Sequence, residues 1–254
     1  MDSTKLFYKK ADIYDKFRPS YATELYEYIR SNVISKCDNF TMADIGSGTG
    51  MFCEPFLRDG LPVYCVEPNE SMRMLAEKKF REFPNFHSIE GDFAITGLKN
   101  QSVDIITVAQ AFHYFDVAAF RTECKRILKK TNTVVIIWNR KCNNELEQER
   151  RKLAEQYCPL YLGYSKNRDL RDLMVKRFFE DNGNYSVLTF SNNIINNIDE
   201  FIGRTLSAYY APSINDNNYN VYISALKDYF AKYSDGSRLV IPMETVAFIG
   251  TLTC

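Results

Sequence analysis

The sequence shows neither an excess of one charge nor a long apolar run. Lys and Arg together number 32, Asp and Glu also number 32, and no long block of one sign occurs. Nucleic-acid-binding proteins carry a basic patch or stripe, so charge gives no support for that class. No stretch approaches the ~18 apolar residues of a membrane span, and the opening residues MDSTKLFYKKADIYDKF lack the apolar centre of a signal peptide. We expect a cytoplasmic protein with a small-molecule partner, and neither nucleic acid nor membrane.

Cysteine patterns of the kind that build disulfide frameworks or zinc sites are missing. The seven cysteines are odd in number, widely scattered and form no C-x-x-C pair. We therefore predict no metal site and expect most cysteines to behave as small apolar residues. The chain also contains no internal repeat and no Gly/Ser/Pro linker tract.

What the chain does contain is an alternation of short apolar runs with helical patterns between residues 40 and 138. The runs are TMADI, PVYCVE, NFHSIEG, VDIITVA and NTVVIIW, and the last helical pattern is VAAFRTECKRILKK. Short β-branched runs separated by helices indicate parallel strands buried on both faces. The fold class predicted is α/β, a Rossmann-like, mostly parallel sheet with helices on both faces.

The remaining residues 139–254 supply helices and the last strands. NRKCNNELEQERRKLAEQY predicts a solvated helix, YSVLTFS a strand, and the Asn-rich SNNIINNID a loop. Two more helices follow, and the terminal RLVIPMETVAFIGTL is strand-like with an interrupting Pro242. YSVLTFS and the terminal strand would bring the sheet to seven strands. We predict one domain over 1–254, with the alternating strands and helices of 40–138 as its core.

The segment MADIGSGTGMF places three glycines, Gly46, Gly48 and Gly50, directly after the first strand. A dinucleotide fingerprint needs G-x-G-x-x-G, and Met51 occupies the third glycine position, which disfavours an NAD-dependent oxidoreductase. A Walker A loop also fails, because no G-K-[ST] follows. Glu67 ends the second strand about twenty residues later, where a carboxylate can accept from both hydroxyls of a ribose.

The third strand ends in Gly91-Asp92-Phe93, where a carboxylate can accept from an adenine amine and a ring can line the base. Asp44-x-Gly46-x-Gly48-x-Gly50 together with Glu67 and this tripeptide resembles the class I S-adenosylmethionine-dependent methyltransferases. The segments YDKFRPSY, AQAFHYFD and LSAYYAP are similar to the small-molecule group of trans-aconitate-methyltransferase-like (methyltransferase type 11) proteins. The resemblance runs from Tyr14 to the terminal strand.

This resemblance implies S-adenosyl-L-methionine as the cofactor and assigns its parts to positions in the chain. Asp44 and the backbone of Gly46, Ser47 and Gly48 would hold the methionine part, and Glu67 the ribose. The adenine would lie against Asp92 and Phe93, while Pro68 and Asn69 would shape the wall behind Glu67. The resemblance further implies a cofactor-binding core at 40–138 and an N-terminal helical lid at 1–35, whose Tyr14, Arg18 and Tyr21 would cover the cofactor. Arg18 is the candidate partner for the cofactor carboxylate.

Two residues after the fourth strand are candidates for the acceptor side. Histidine is the side chain suited to proton transfer near neutral pH, and His113 lies at the sheet edge expected to face the substrate, so it is either a general base or a structural histidine. Gln110 beside it could bind cofactor or substrate through hydrogen bonds. Trp138, which closes the fifth strand, more often packs a core than binds a ligand in this position.

The sequence thus favours a methyltransferase that acts on a small molecule by in-line displacement, as a monomer or weak homodimer. The acceptor atom stays open among oxygen, nitrogen, sulfur and carbon. An alternative is a protein that binds S-adenosylmethionine without methylating and acts as a regulatory or partner subunit. A nucleic-acid methyltransferase is disfavoured, because AQAFHYFD stands where an N-P-P-Y-like tetrapeptide would follow the fourth strand.

Overall fold

The apolar runs of the sequence pair side by side in one seven-stranded sheet. The computed structural model describes residues 19–34, 40–161, 165–179, 185–208 and 210–252. The strands of this sheet are β1 Met42–Ile45, β2 Val63–Val66, β3 Phe86–Ile89, β4 Val103–Ala109, β5 Leu128–Lys141, β6 Tyr185–Ser191 and β9 Met243–Thr251. Their order is β3-β2-β1-β4-β5-β9-β6. The pairs β1–β2, β1–β4, β2–β3 and β4–β5 are parallel, which confirms the predicted α/β fold class.

The central strands are buried on both faces, as their continuous apolar character predicts. All four residues of β1 and six of the seven in β4 are buried. One face packs on a cluster that includes Phe112, Phe120 and Trp138, and the other on a cluster that includes Phe52 and Phe56. Each fully buried aromatic or aliphatic side chain contributes roughly 1.5–3 kcal/mol to folding, so these two layers fix the sheet. The interpretation of Trp138 as a core residue is confirmed.

Eight helices are described, and side-chain caps explain where four of them begin. They are α1 Thr23–Asn32, α2 Glu54–Arg58, α3 Glu70–Phe80, α4 Val117–Ile127, α5 Glu145–Tyr157, α6 Ser165–Phe178, α7 Ile198–Leu206 and α8 Tyr219–Tyr233. The caps accept from the third backbone N–H of α3, α5, α7 and α4: Asn69, Asn144, Asn197 and Asp116. Within the described ranges, no helix has both the length and the apolar character that crossing a membrane requires.

The chain divides into two compact units. Among the described residues, the sheet unit lies within Ser20–Asn139, Arg168–Phe190 and Thr245–Leu252, and the helix-rich unit within Arg140–Asn167 and Ser191–Glu244. In the helix-rich unit, α5, α7 and α8 enclose a core that includes Phe201, Tyr222 and Leu226. The same unit contains an antiparallel two-stranded sheet of β7 Ile194–Asn196 and β8 Leu239–Ile241.

Three local predictions were wrong. The helical pattern through Lys130 ends at Ile127, and β5 begins at Leu128 because Leu128 aligns with Val103 of β4. The Asn-rich segment predicted as a loop contains β7, since Ile194 and Asn196 are buried in its pairing with β8. Pro242 separates β8 from β9, as its missing N–H requires.

The third wrong prediction concerns α5, which was expected to be a solvated helix but buries Glu147 and Arg150. The two side chains form a bidentate ion pair with N···O distances of 2.7 and 2.8 Å. Burial by itself would raise the pKa of Glu147, but Lys141, Arg150 and Arg151 outweigh burial and lower that pKa to about 2. A charged sequence pattern therefore conceals a buried pair, because each charge neutralises the other inside the unit.

Two glycines with left-handed backbone allow the steric cost of an added side chain to be distinguished from its conformational cost. Gly50 has φ +76° and an added Cβ there would overlap the buried ring of Phe80, whereas Gly60 has φ +85° and an added Cβ would meet no heavy atom of the described residues within 4 Å. We expect Gly60→Ala to lower the free energy of unfolding by about 1–2 kcal/mol and Gly50→Ala by about 2–5 kcal/mol. Urea unfolding of both variants measures the difference. Equal losses would contradict the packing of Phe80 against the turn.

Candidate functional site

The glycine turn after β1 is left-handed at every second residue. Gly46, Gly48 and Gly50 have φ values of +70°, +59° and +76°. Residues with a side chain adopt this region only at a cost of roughly 1–2 kcal/mol each, so three alternating glycines are required here. This geometry explains why the motif is G-x-G-x-G rather than the dinucleotide spacing.

The three glycines differ in what surrounds them. A Cβ at Gly46 would lie 2.7 Å from Cβ of Ala111 and 3.4 Å from the ring of Phe115, and one at Gly50 would overlap Phe80. A Cβ at Gly48 would meet no heavy atom within 4 Å in the part of the chain that the structure describes. Gly46 and Gly50 therefore serve packing, and the open surface of the turn lies at Gly48.

The backbone amides of the turn donate to groups of the protein itself. Gly46 and Ser47 both donate to the carbonyl oxygen of Val66, at 2.8 and 3.2 Å, and Gly50 donates to the carbonyl of Ser47 at 3.0 Å. The amide of Gly48 donates to Oε2 of Glu67 at 2.8 Å. The buried Oγ of Ser47 has no hydrogen-bond partner among the described residues. What the turn offers to a ligand in this structure is therefore the space at Gly48 and the Ser47 hydroxyl.

Glu67 is held at the end of β2 by two backbone amides. Its Oε2 accepts from Gly48 and its Oε1 accepts from Asn69, both at 2.8 Å, and the residue is only 9% exposed. Burial raises the pKa of Glu67, while the two amides and Arg73 act in the opposite direction. A carboxylate oxygen that accepts one hydrogen bond retains capacity for a second. Glu67 is therefore a fixed pair of acceptors beside the open face of Gly48.

The wall beyond Glu67 consists of Pro68 and the first turn of α3. Asn69 caps that helix by accepting from the Met72 amide at 3.1 Å, and Nη1 of Arg73 donates to the carbonyl of Glu67 at 2.9 Å. The cap and the arginine fix the backbone on which Glu67 stands. The role of Pro68 and Asn69 beside a cofactor stays a prediction.

Asp44 is a buried carboxylate with one open oxygen. Oδ1 accepts from the hydroxyl of Thr107 at 2.7 Å, and Oδ2 has no hydrogen-bond partner among the residues that the structure describes. The residue is 1% exposed. Burial, and then the charge of Glu67, raise the pKa of Asp44 to about 7, against the hydrogen bond from Thr107. An unsatisfied buried acceptor is unfavourable, so this oxygen points to a donor or cation supplied by a ligand.

Asp92 and Phe93 follow β3, and the structure gives each a partner. Oδ1 of Asp92 accepts from the amides of Ala94 and Ile95 at 2.7 and 2.8 Å, which closes a local turn on the exposed surface. The ring of Phe93 stacks on Phe115 with 4.8 Å between centroids. Phe115 also flanks Gly46, so this aromatic pair lies next to the glycine turn. In the segment AQAFHYFD, the sequence analysis singled out only Gln110 and His113 and missed Phe115.

Gln110 and His113 leave the end of β4. Gln110 has φ +62°, its amide donates to the carbonyl of Ile137 at 2.9 Å, and its side-chain amide approaches the carbonyl of Asn139 at 3.5 Å. His113 lies in a short 3₁₀ turn, Phe112–Tyr114, and its ring is 4.0 Å from that of Tyr114. Both residues therefore follow the strand that pairs with β1, and the left-handed backbone of Gln110 turns the chain there.

The N-terminal candidates are only partly covered by the structure. Tyr14 and Arg18 lie outside the described residues. Tyr21 is buried, and its ring contacts the ring of Phe52 edge-on with 5.1 Å between centroids. Phe52 lies two residues after Gly50 in the sequence. Among the described residues no group of three or more His, Cys, Asp and Glu side chains is arranged to hold a metal ion.

Comparison with known proteins places a family match on the segment that carries this site. Residues 43–136 match the model of a methyltransferase domain. A protein of Dictyostelium discoideum named as a methyltransferase is 36% identical over 126 residues, which cover 50% of this chain and 45% of the relative. One of Schizosaccharomyces pombe, also named as a methyltransferase, is 27% identical over 169 residues, covering 61% and 66%. The matches thus span about half to two thirds of these relatives.

Solved structures share the fold across nearly the whole chain. A type II methyltransferase structure from Anaeromyxobacter dehalogenans superposes with a TM-score of 0.66 at 18% identity, covering 94% of this chain and 100% of that one. A phosphoethanolamine N-methyltransferase of Haemonchus contortus, solved with phosphomonomethylethanolamine and S-adenosylhomocysteine, gives a TM-score of 0.53 at 16% identity. That match covers 96% of this chain and 57% of the other. At these identities the likeness shows the fold.

The buried Asp44 carboxylate has a measurable consequence for stability. Its pKa is raised to about 7 in the folded protein from an ordinary value of 3.8, so folding favours its protonated form. Stability from this group is complete at low pH and is lost as pH rises toward 7, because the unfolded chain then binds fewer protons. We expect the free energy of unfolding of Asp44→Asn, relative to that of wild type, to rise by on the order of 3 kcal/mol between pH 5 and pH 8.

Urea unfolding of wild type and Asp44→Asn at several pH values measures this difference. The other titrating groups occur in both proteins, so the change with pH of the difference in unfolding free energy isolates Asp44. A difference that stays constant from pH 5 to 8 would contradict a buried, unpaired carboxyl.

Proposed function

We propose that the glycine turn of this chain binds S-adenosylmethionine and that the protein methylates a small molecule, because residues 43–136 match the model of a methyltransferase domain and the chain shares its fold with solved methyltransferases. The observation that carries the proposal is the open face of Gly48 beside the buried carboxylate of Glu67, together with the buried, unpartnered Oδ2 of Asp44 in the preceding strand. A cofactor that is cationic at one end and carries a ribose diol matches this pair. The S-adenosylhomocysteine in the Haemonchus contortus structure supports the same cofactor here.

Each described candidate offers chemistry that fits one part of this cofactor. Oδ2 of Asp44 is an open buried acceptor, which suits the ammonium group of the methionine part. Glu67, fixed by two amides, has acceptor capacity left for the two ribose hydroxyls. Phe93, backed by Phe115, presents an aromatic ring next to the glycine turn, which suits the adenine. Arg18 and Tyr14 remain candidates for the cover over the cofactor.

The protein's contribution to methyl transfer is mainly positioning. When bound, S-adenosylmethionine supplies a methyl carbon that an acceptor atom attacks opposite the sulfur. The chain has to hold that acceptor about 3 Å from the carbon, in line and without competing water. A base is needed only when the acceptor must lose a proton, and His113, after β4, is the residue proposed for that role.

Several features support a small acceptor without fixing its identity. The equal numbers of acidic and basic residues, with no long block of one sign in the sequence, give no support for a nucleic-acid acceptor. The similarity to the trans-aconitate-methyltransferase-like group favours a carboxylate acceptor, while hydroxyl, amine, thiol and carbon acceptors also suit the mechanism. The fold hosts many chemistries, so the acceptor has to be found by assay.

Gly48→Ala tests the cofactor site with a matched control. The methyl group would enter the space proposed for the cofactor, so we expect the dissociation constant for S-adenosylmethionine to rise at least about tenfold, or about 1.4 kcal/mol. Gly60→Ala imposes a similar backbone cost at another left-handed glycine with open surroundings, and should leave the affinity unchanged. Isothermal titration calorimetry measures both. Equal affinities in the two variants would contradict cofactor binding at the open face of Gly48.

Turnover distinguishes an enzyme from a binding protein that does not methylate. We expect wild type to release S-adenosylhomocysteine with at least one member of a panel of carboxylate, hydroxyl, amine and thiol acceptors. If His113 is the base, His113→Gln should lower kcat about 10²-fold or more without changing cofactor affinity. Tight cofactor binding without turnover on any acceptor would favour the regulatory or partner role instead.

A further inference from the structure

Thr107 is a buried hydroxyl in the middle of a strand that is otherwise apolar around it. It lies in β4 between Ile106 and Val108, is 0% exposed, and aligns with Asp44 of β1. Its Oγ1 donates to Oδ1 of Asp44 at 2.7 Å, and the carbonyl of Ala43 lies further away at 3.5 Å. Burying a hydroxyl is unfavourable unless it is hydrogen-bonded, so the Asp44 carboxylate is what makes a threonine suitable here.

We propose that Thr107 is a positioning residue that holds the Asp44 carboxylate by Oδ1 and thereby leaves Oδ2 for the cationic methionine part of the cofactor. This inference rests on the proposed function, because it names the residue that prepares that site. The bond from Thr107 decides which carboxylate oxygen stays open: Oδ1 is occupied, and Oδ2 has no partner among the described residues.

The groups around Asp44 explain why this one hydrogen bond matters. Those facing it are Glu67 at the end of β2, Cys65 in β2, Tyr26 in α1 and Cys53 before α2. All four are acidic or neutral. Burial and Glu67 favour the protonated carboxyl, and Thr107 supplies the hydrogen bond that favours the charged form. Within the described residues, Thr107 is thus the main group that keeps Asp44 able to ionise near neutral pH.

This arrangement links cofactor binding to the release of a proton. A ligand cation at Oδ2 favours the charged carboxylate, so a protonated Asp44 must lose its proton when the cofactor binds below pH 7. Without the Thr107 hydroxyl, the pKa of Asp44 would rise further. The loss of affinity in such a variant is therefore larger in acid than in mild alkali.

The experiment measures the dissociation constant for S-adenosylmethionine at pH 6 and pH 8 in wild type, Thr107→Val and Thr107→Ser. If the hydroxyl lowers the pKa of Asp44 by about one unit, Thr107→Val weakens binding about tenfold at pH 6 and about twofold at pH 8. Thr107→Ser retains the hydroxyl and should stay within about twofold of wild type at both values. Comparison at equal pH cancels titration of the ligand itself.

Each outcome decides the proposal. An unchanged affinity in Thr107→Val, or an equal loss at both pH values, overturns it and leaves the proposed function standing. Failure of wild type to bind S-adenosylmethionine overturns both together. Should Thr107→Val not fold, Thr107→Ser and wild type still test the coupling through the protons released at pH 6, measured as the difference in binding enthalpy between buffers of different ionisation heat. Release of no proton by wild type overturns the proposal.

Discussion

A hydrogen bond between the ends of two neighbouring strands organises this site. The amide of Gly48, in the turn after β1, donates to Glu67 at the end of β2, over 2.8 Å. Because the two strands are parallel, their carboxyl ends meet at one edge of the sheet. The bond holds the glycine turn against the acidic residue, and the second oxygen of Glu67 ties the same carboxylate to the first turn of α3. Turn, carboxylate and helix are thereby fixed as one rigid frame for a ligand.

Burial gives the two carboxylates of this frame different properties. Glu67 has an amide on each oxygen, whereas Asp44 has a hydroxyl on one oxygen and no partner, among the described residues, on the other. Two acidic groups share a poorly solvated region, and the charge of each disfavours that of the other. A bound cation would favour the charged form of both carboxylates. The same arrangement that lowers the stability of the empty protein near neutral pH therefore favours the ligand.

The sheet and the glycine turn could be predicted from sequence. Buried parallel strands appear in the sequence as unbroken apolar runs, and a left-handed turn requires glycines. Asp44, Gly48 and Glu67 could be singled out from the sequence because they lie at or next to the ends of apolar runs, and their role in cofactor binding stays a prediction. Thr107 and Phe115 were missed, because their importance depends on which strand pairs with β1 and what packs on Gly46. The strand β7 and the buried pair in α5 were missed for a related reason, since polar residues conceal pairing that only tertiary contacts reveal.

The order of strands in the sheet also determines how the chain can be divided. β9, the final strand of the described residues, lies between β5 and β6, so the open edge of β5 is paired with residues from far along the chain. A truncated chain stopping at Ile136 would end inside β5 and leave its hydrogen-bonding edge bare. Such an edge recruits other chains, and aggregation would be the expected fate of that fragment. Expression of residues 40–138 alone therefore requires the last strand to be supplied, for example by circular permutation.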